Sequence, residues 1–199
     1  MKIIIVTDRK RTDTMRALMR ERVPILLEVA PSAGQDMTPE QSCLLGHQRA
    51  LWAASQAWPG AVVLEDDLIV SATWQAQLEG FLATMPAPDA YAIALYVPDF
   101  CRSRCEAGPY GMEFYNHERF VGTQAMWWGS RLAHKVSKWL YSYHEGNGNL
   151  PVDDALRLCP HLEDRLLALP IDLFDHKPGP SLIASSKPHK AGRFTKGTP

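Results

Sequence analysis

Long hydrophobic runs are missing from this chain: no apolar stretch reaches the roughly 20 residues that a membrane-spanning helix needs. Cysteine is scarce. Cys43, Cys101, Cys105 and Cys159 are the four cysteines in 199 residues, too few for a disulfide framework, and ordinary reduced thiols are expected. Cys101 and Cys105 offer half of a zinc site, with Cys159 or His161 to complete it. An excess of charge of one sign is also lacking. Lys plus Arg number 21 and Asp plus Glu 22, a formal net charge of -1, so no global basic field draws the chain to nucleic acid. Internal repeats and low-complexity segments are absent, which excludes solenoids and disordered linkers as the main architecture.

What is present is a 46% hydrophobic composition, enough for a sizeable core in one domain. That domain is expected over residues 1–186, followed by a polar, basic tail at 187–199 carrying Lys187, His189, Lys190, Arg193 and Lys196. The opening Met1-Lys2-Ile3-Ile4-Ile5-Val6 is too short for a signal-peptide core and meets Thr7-Asp8-Arg9-Lys10-Arg11 at once. It reads as a first strand, and a cytoplasmic location is expected.

The order of predicted elements is α/β. After the first strand come a helix over residues 12–22, a short strand at 25–29 and a loop at 31–36. Thr38-Pro39-Glu40-Gln41 is a helix start: Thr38 caps, Pro39 suits the first turn and Gln41 completes a capping box. The helix is predicted to run to Trp58, stopped by Pro59-Gly60, with Leu44, His47, Leu51, Ala54 and Trp58 on one apolar stripe. Ser71 is the predicted cap of the next helix, whose buried stripe is Trp74, Leu78, Phe81, Leu82 and Met85. A strand is predicted at 90–97 and a long surface excursion at 99–118, the kind of loop that is often functional. A strand at 120–128 leads to a helix capped by Ser130 and running to 143, a loop at 145–149, a short helix at 152–158 and a last strand within 166–174.

The densest chemical signal is Glu65-Asp66-Asp67. These acids follow Ala61-Val62-Val63-Leu64 and precede Leu68-Ile69-Val70, and neither run alternates. The first run therefore reads as a strand buried on both faces. Carboxylates beside a sheet core need a cation, a metal or a proton. Hard oxygen ligands at the end of a central strand suit Mg²⁺ or Mn²⁺ holding a substrate diphosphate. The competing reading is a solvated turn.

Four blocks in order carry a resemblance: Gly46-His47 within a helix, Val62-Val63-Leu64-Glu65-Asp66-Asp67, Gly122-Thr123-Gln124-Ala125, and Val152-Asp153-Asp154. Together, over residues 41–186, they resemble the glycosyltransferase family that builds lipopolysaccharide and collagen-linked sugars (family 25). The chain departs from that pattern in having Gly46 where Ser is usual, Trp127-Trp128 after the Gly-Thr block, and a shorter length.

The resemblance implies a GT-A fold: a single Rossmann-like domain with a mostly parallel central sheet whose strand ends bind a nucleotide-sugar, most readily a UDP-sugar. It implies Asp67 as metal ligand, with Glu65 or Asp66 facing the ribose or the metal's water shell. His176, after the last strand, looks like the late histidine that completes such metal sites, and Lys177 would pair with diphosphate oxygens. Thr7, Asp8 and Arg9 stand where this fold commonly holds base, ribose and phosphate. His47 would line the donor pocket or support the acidic strand, or else is a satisfied core histidine. Gly122 and Thr123 would let backbone approach the sugar. Asp153, with Asp154 next, would be the general base of an inverting transfer; by position alone both are helix N-terminal charges.

Trp127, Trp128, Tyr96 and Tyr115 are candidate sugar platforms or core residues. The acceptor would be a glycan hydroxyl or a hydroxymethylated DNA base, the latter drawing on tail contacts to phosphates. A metal-dependent phosphodiesterase or nuclease and a non-catalytic nucleotide-binding module are the alternative functions.

Overall fold

The computed structural model describes residues 1–7, 25–29, 37–66, 68–103, 105–146 and 150–176, with the backbone alone at 25–29, Phe100 and His176. The helix predicted at 12–22, the loop at 31–36, the tail from 187 and the site candidates Asp8, Arg9, Asp67 and Lys177 lie outside the described residues.

Strand β1 (Lys2–Thr7) lies between β2 (Ile25–Val29) and β3 (Gly60–Glu65), parallel to both. Strand β8 (Ala125–Gly129) then runs antiparallel against β3 and against β5 (Ala92–Ala94). Beyond β5 come β9 (Leu166–Ala168), parallel to it, then the short strand β7 (Glu113–Tyr115) and the edge strand β6 (Cys105–Ala107). The eight-stranded order is β2-β1-β3-β8-β5-β9-β7-β6. Six strands point one way and β8 and β7 the other, so the sheet is mixed while retaining a dominant direction. The result is α/β and compatible with a Rossmann-like layering.

Apolar residues on both sides of each central strand dictate a sheet covered on both faces. Ile4, Val6, Ala61 and Val63 face one layer, formed by α1 (Pro39–Ser55), α4 (Ser130–Glu145) and α5 (Val152–Arg157). Ile3, Ile5, Val62 and Leu64 face the other, where Trp74 and Leu78 of α2 (Trp74–Ala83) pack with Phe174. Each fully buried Ile, Val, Leu or Phe side chain among these contributes roughly 1.5–3 kcal/mol of burial free energy.

Helix α1 starts as the sequence predicts. Thr38 Oγ1 accepts from the Gln41 N–H at 3.2 Å while Gln41 Oε1 accepts from the Thr38 N–H at 2.9 Å. It ends at Ser55 rather than Trp58, and Trp58, beyond the helix, turns out to solvent with 81% of its surface exposed. Helix α2 begins at Trp74 without a side-chain cap, and Ser71 contributes only its carbonyl, accepting the Trp74 N–H. Ser130 is the first residue of α4, with Gly129 at the cap position. The tight approach of that glycine to the Pro88–Asp89 backbone leaves no space for a Cβ.

The expected surface excursion at 99–118 is largely sheet and helix. It holds α3 (Asp99–Arg102), β6 and β7, and it buries Cys101, Met112 and Tyr115. Arg102 binds it down, donating to Asp172, to the Leu169 carbonyl at 2.5 Å and to Glu113 at 3.3 Å. Strands β4 (Leu68–Val70) and β10 (Phe174–His176) make a separate antiparallel pair. No helix among the described residues is long and apolar enough to cross a membrane.

Candidate functional site

The carboxyl end of β1 and of β3 fall side by side because Val6 pairs with Glu65. Strand β8 runs the opposite way and starts opposite Leu64, so its approach segment, residues 122–124, lies at that same edge. The Glu65 N–H donates to the Gln124 carbonyl at 2.8 Å, extending the ladder one step past the strand. Helix α5 aims its first turn at this segment. The Gly122 and Thr123 N–H groups donate to the two oxygens of Asp153, each at 3.2 Å. Gly122 takes φ +115°, a value that side-chain-bearing residues rarely adopt, so the turn presenting these amides requires glycine.

Both described acids of the triplet are held by hydroxyls. Thr7 Oγ1 donates to Asp66 Oδ2 at 2.5 Å, and Thr123 Oγ1 donates to Glu65 Oε1 at 2.9 Å. Asp66 is only 8% exposed, which overturns the solvated-turn reading for that residue. His47 sits on the buried stripe of α1 and approaches the same carboxylate, with Nε2 at 3.5 Å from Glu65 Oε1. Its Nδ1 lies 3.0 Å from the Cys43 carbonyl one turn earlier, which fixes the donor on Nδ1 and leaves Nε2 facing the acids without a hydrogen bond. Burial pushes the His47 pKa down from its ordinary value, outweighing the Cys43 carbonyl and the Asp153 charge, so the ring is held neutral. Burial, then Glu65 and Asp153, push the neighbouring Cys43 thiol up.

Thr7, His47, Glu65, Asp66, Gly122, Thr123 and Asp153 thus converge from five separate segments. Asp154 does not join them: it pairs with Arg157 at 2.7 Å, and Arg157 in turn donates to the Phe120 carbonyl at 2.6 Å. His176 belongs by its backbone to the second sheet, where it pairs with Leu68, the residue after Asp67. Trp127, Trp128 and Tyr115 are core, not sugar platforms, and Tyr96 is half-buried. Cys101 and Cys159 are buried in one cluster with Cys105 packed against it. Burial pushes the Cys105 and Cys159 thiols up to about 11. Among the described residues no group of three or more metal-donor side chains converges.

Sequence reasoning missed Cys43, whose carbonyl orients His47. The i,i+4 spacing of the two residues on one helix was the available signal. It also missed the side-chain amide of Gln124, whose Oε1 is buried without a partner beside Gly122. No family model matches the chain, and no curated protein matches it.

Proposed function

We propose that this chain is a metal-dependent, inverting glycosyltransferase of GT-A type, moving a sugar from a nucleoside-diphosphate donor to an acceptor hydroxyl. The observation that carries the reading is the gathering of a buried Asp66, Glu65, Thr123 and Asp153 at the carboxyl edge of a dominant-direction sheet, the place where open α/β sheets take nucleotides. The metal would take its ligands from Asp67, which precedes Leu68 in the sequence, and from His176, whose backbone pairs with Leu68. A nitrogen ligand among oxygens favours Mn²⁺ over Mg²⁺. Bound there, the ion supplies Lewis-acid neutralisation of the departing diphosphate.

The chain's own residues would do the rest. Thr7, with Asp8 and Arg9, holds the nucleoside, and Lys177 the phosphates. Gly122 and Thr123, fixed by Asp153, set the floor under the sugar. Each Asp153 oxygen accepts one backbone N–H and keeps a second lone pair. That lone pair receives the acceptor hydroxyl's proton as its oxygen bonds to the anomeric carbon and the bond to phosphate breaks, its electron pair leaving on the diphosphate.

Thermal melting with a panel of nucleoside diphosphates, with and without Mn²⁺, tests the reading. Ligand at a hundredfold its Kd adds about 2.7 kcal/mol, which at about 2–4 °C per kcal/mol in a chain of this size raises Tm by about 5–10 °C. The shift should require Mn²⁺ and disappear in Asp67→Ala and in His176→Ala. No shift with any nucleoside diphosphate would remove the proposal. Phosphodiester cleavage without a sugar donor would replace it with a metal-dependent phosphodiesterase. Binding without turnover of any nucleotide-sugar would leave a nucleotide-binding module.

A further inference from the structure

The chain's near-neutral charge conceals a strongly segregated surface on α4. From Ser130 to His144 this helix contains no acid, and its solvent face shows Arg131, His134, Lys135 and Lys138. Arg131 is paired with Asp89 at 3.1 Å. Lys135 and Lys138 make no ion pair among the described residues. They open instead into a groove of about 320 Å³ lined by His134, Lys135, Lys138, Trp139, Ser142 and His161. Glu163 and Asp164 follow His161 in the chain but do not line this groove. Aromatic surface adjoins it. The Trp52 ring, 49% exposed on α1, lies 5.7 Å from the His134 ring, and Tyr141, 53% exposed, follows Lys138 by one turn.

We propose that this groove and the adjoining Trp52 bind a single strand of nucleic acid, its phosphates on Lys135 and Lys138 and a base stacked on Trp52. Charge complementarity names a polyanion. The ammonium groups make no ion pair among the described residues, and the imidazoles of His134 and His161 have N–H groups to offer phosphate oxygens in either protonation state. The exposed indole adds to the charge a surface on which any base can stack, the second feature that a single strand needs. Length agrees too. Arg131 to Ser142 rises about 16 Å along the helix, room for about five nucleotides at 3.4 Å each. This inference goes beyond sugar transfer and does not depend on it.

Fluorescence anisotropy of a labelled short single-stranded oligonucleotide, read on the full chain from about 50 to 200 mM salt, tests it. Affinity should fall steeply with salt. In the double variant Lys135→Gln, Lys138→Gln it should drop roughly tenfold or more at the low end, with the slope of log K against log salt reduced by about 1.4. Trp52→Ala should cost at least about fivefold. Both lysines are exposed, so the double variant should keep its circular dichroism and Tm, and any Mn²⁺-dependent nucleoside-diphosphate shift should survive in it. Survival of that shift separates a failure here from a failure of the transferase proposal. Binding unaltered by the lysine substitutions would overturn the assignment, as would an abasic strand bound as tightly as the base-bearing one. A sulfated polysaccharide held more tightly through the same lysines would overturn it as well.

Discussion

Asp153 is where structure and chemistry make separable demands, and replacing it tests both. Its carboxylate accepts the N–H groups of two successive residues, Gly122 and Thr123, and so anchors the turn that also carries the hydroxyl on Glu65. A hydrogen bond to a charged group is worth about 1.5–3 kcal/mol. Asp153 is half-buried, so the lower end of that range applies, and losing both bonds in Asp153→Ala should cost about 2–4 kcal/mol. For a chain of this size that is a fall in Tm of roughly 5–15 °C. Asp153→Asn should fall between, since its amide keeps one acceptor oxygen and turns a donor toward the second N–H. Thermal melting gives the magnitude, and amide hydrogen exchange gives the location: Gly122 and Thr123 should lose protection first. A Tm within about 2 °C of the parent in Asp153→Ala, with those two amides still protected, would refute the anchoring role and leave Asp153 free to act as a base alone.

Thr7→Val removes the hydroxyl that donates to the buried Asp66 and should cost about 1.5–3 kcal/mol by urea unfolding, while Thr7→Ser should restore most of it. His47 is held neutral by burial, with its pKa below the unfolded value of 6.5. The folded form therefore binds fewer protons than the unfolded form, and the wild type should lose stability as pH falls below about 6.5. His47→Gln should lack that component when Tm is compared across the same pH range. Gly129→Ala would place a Cβ 2.3 Å from the Pro88 carbonyl oxygen, and overpacking against immobile backbone should cost about 3 kcal/mol or prevent folding, as read by yield and circular dichroism.

Much of this arrangement was legible in the residues because the signals were local. The β3 run is apolar without alternation, and such a run is dictated by a sheet covered on both sides. The α1 start was readable because a capping box is a contact between residues three apart. Its end was not, since Trp58 continues the 3.6-residue period while the backbone has already left the helix at Ser55. Residues 99–118 misled for the opposite reason. Strands three residues long have no period to display, and the contacts of Arg102 that order the segment reach 67 and 70 residues along the chain. At the site, the acids and His47 announced themselves by type, and the grip of Asp153 on Gly122 and Thr123 did not, because it spans 31 and 30 residues. The unopposed cations of α4 needed the helix's solvent face to be known before they became a surface.

The pairing of β10 with β4 has a temporal consequence. The strand that leaves the acid triplet emerges from the ribosome roughly a hundred residues before its partner, a delay of about 5–20 s at 5–20 residues per second. Throughout that interval β4 waits without the strand it pairs with, so the second sheet is completed only by the last of the described strands.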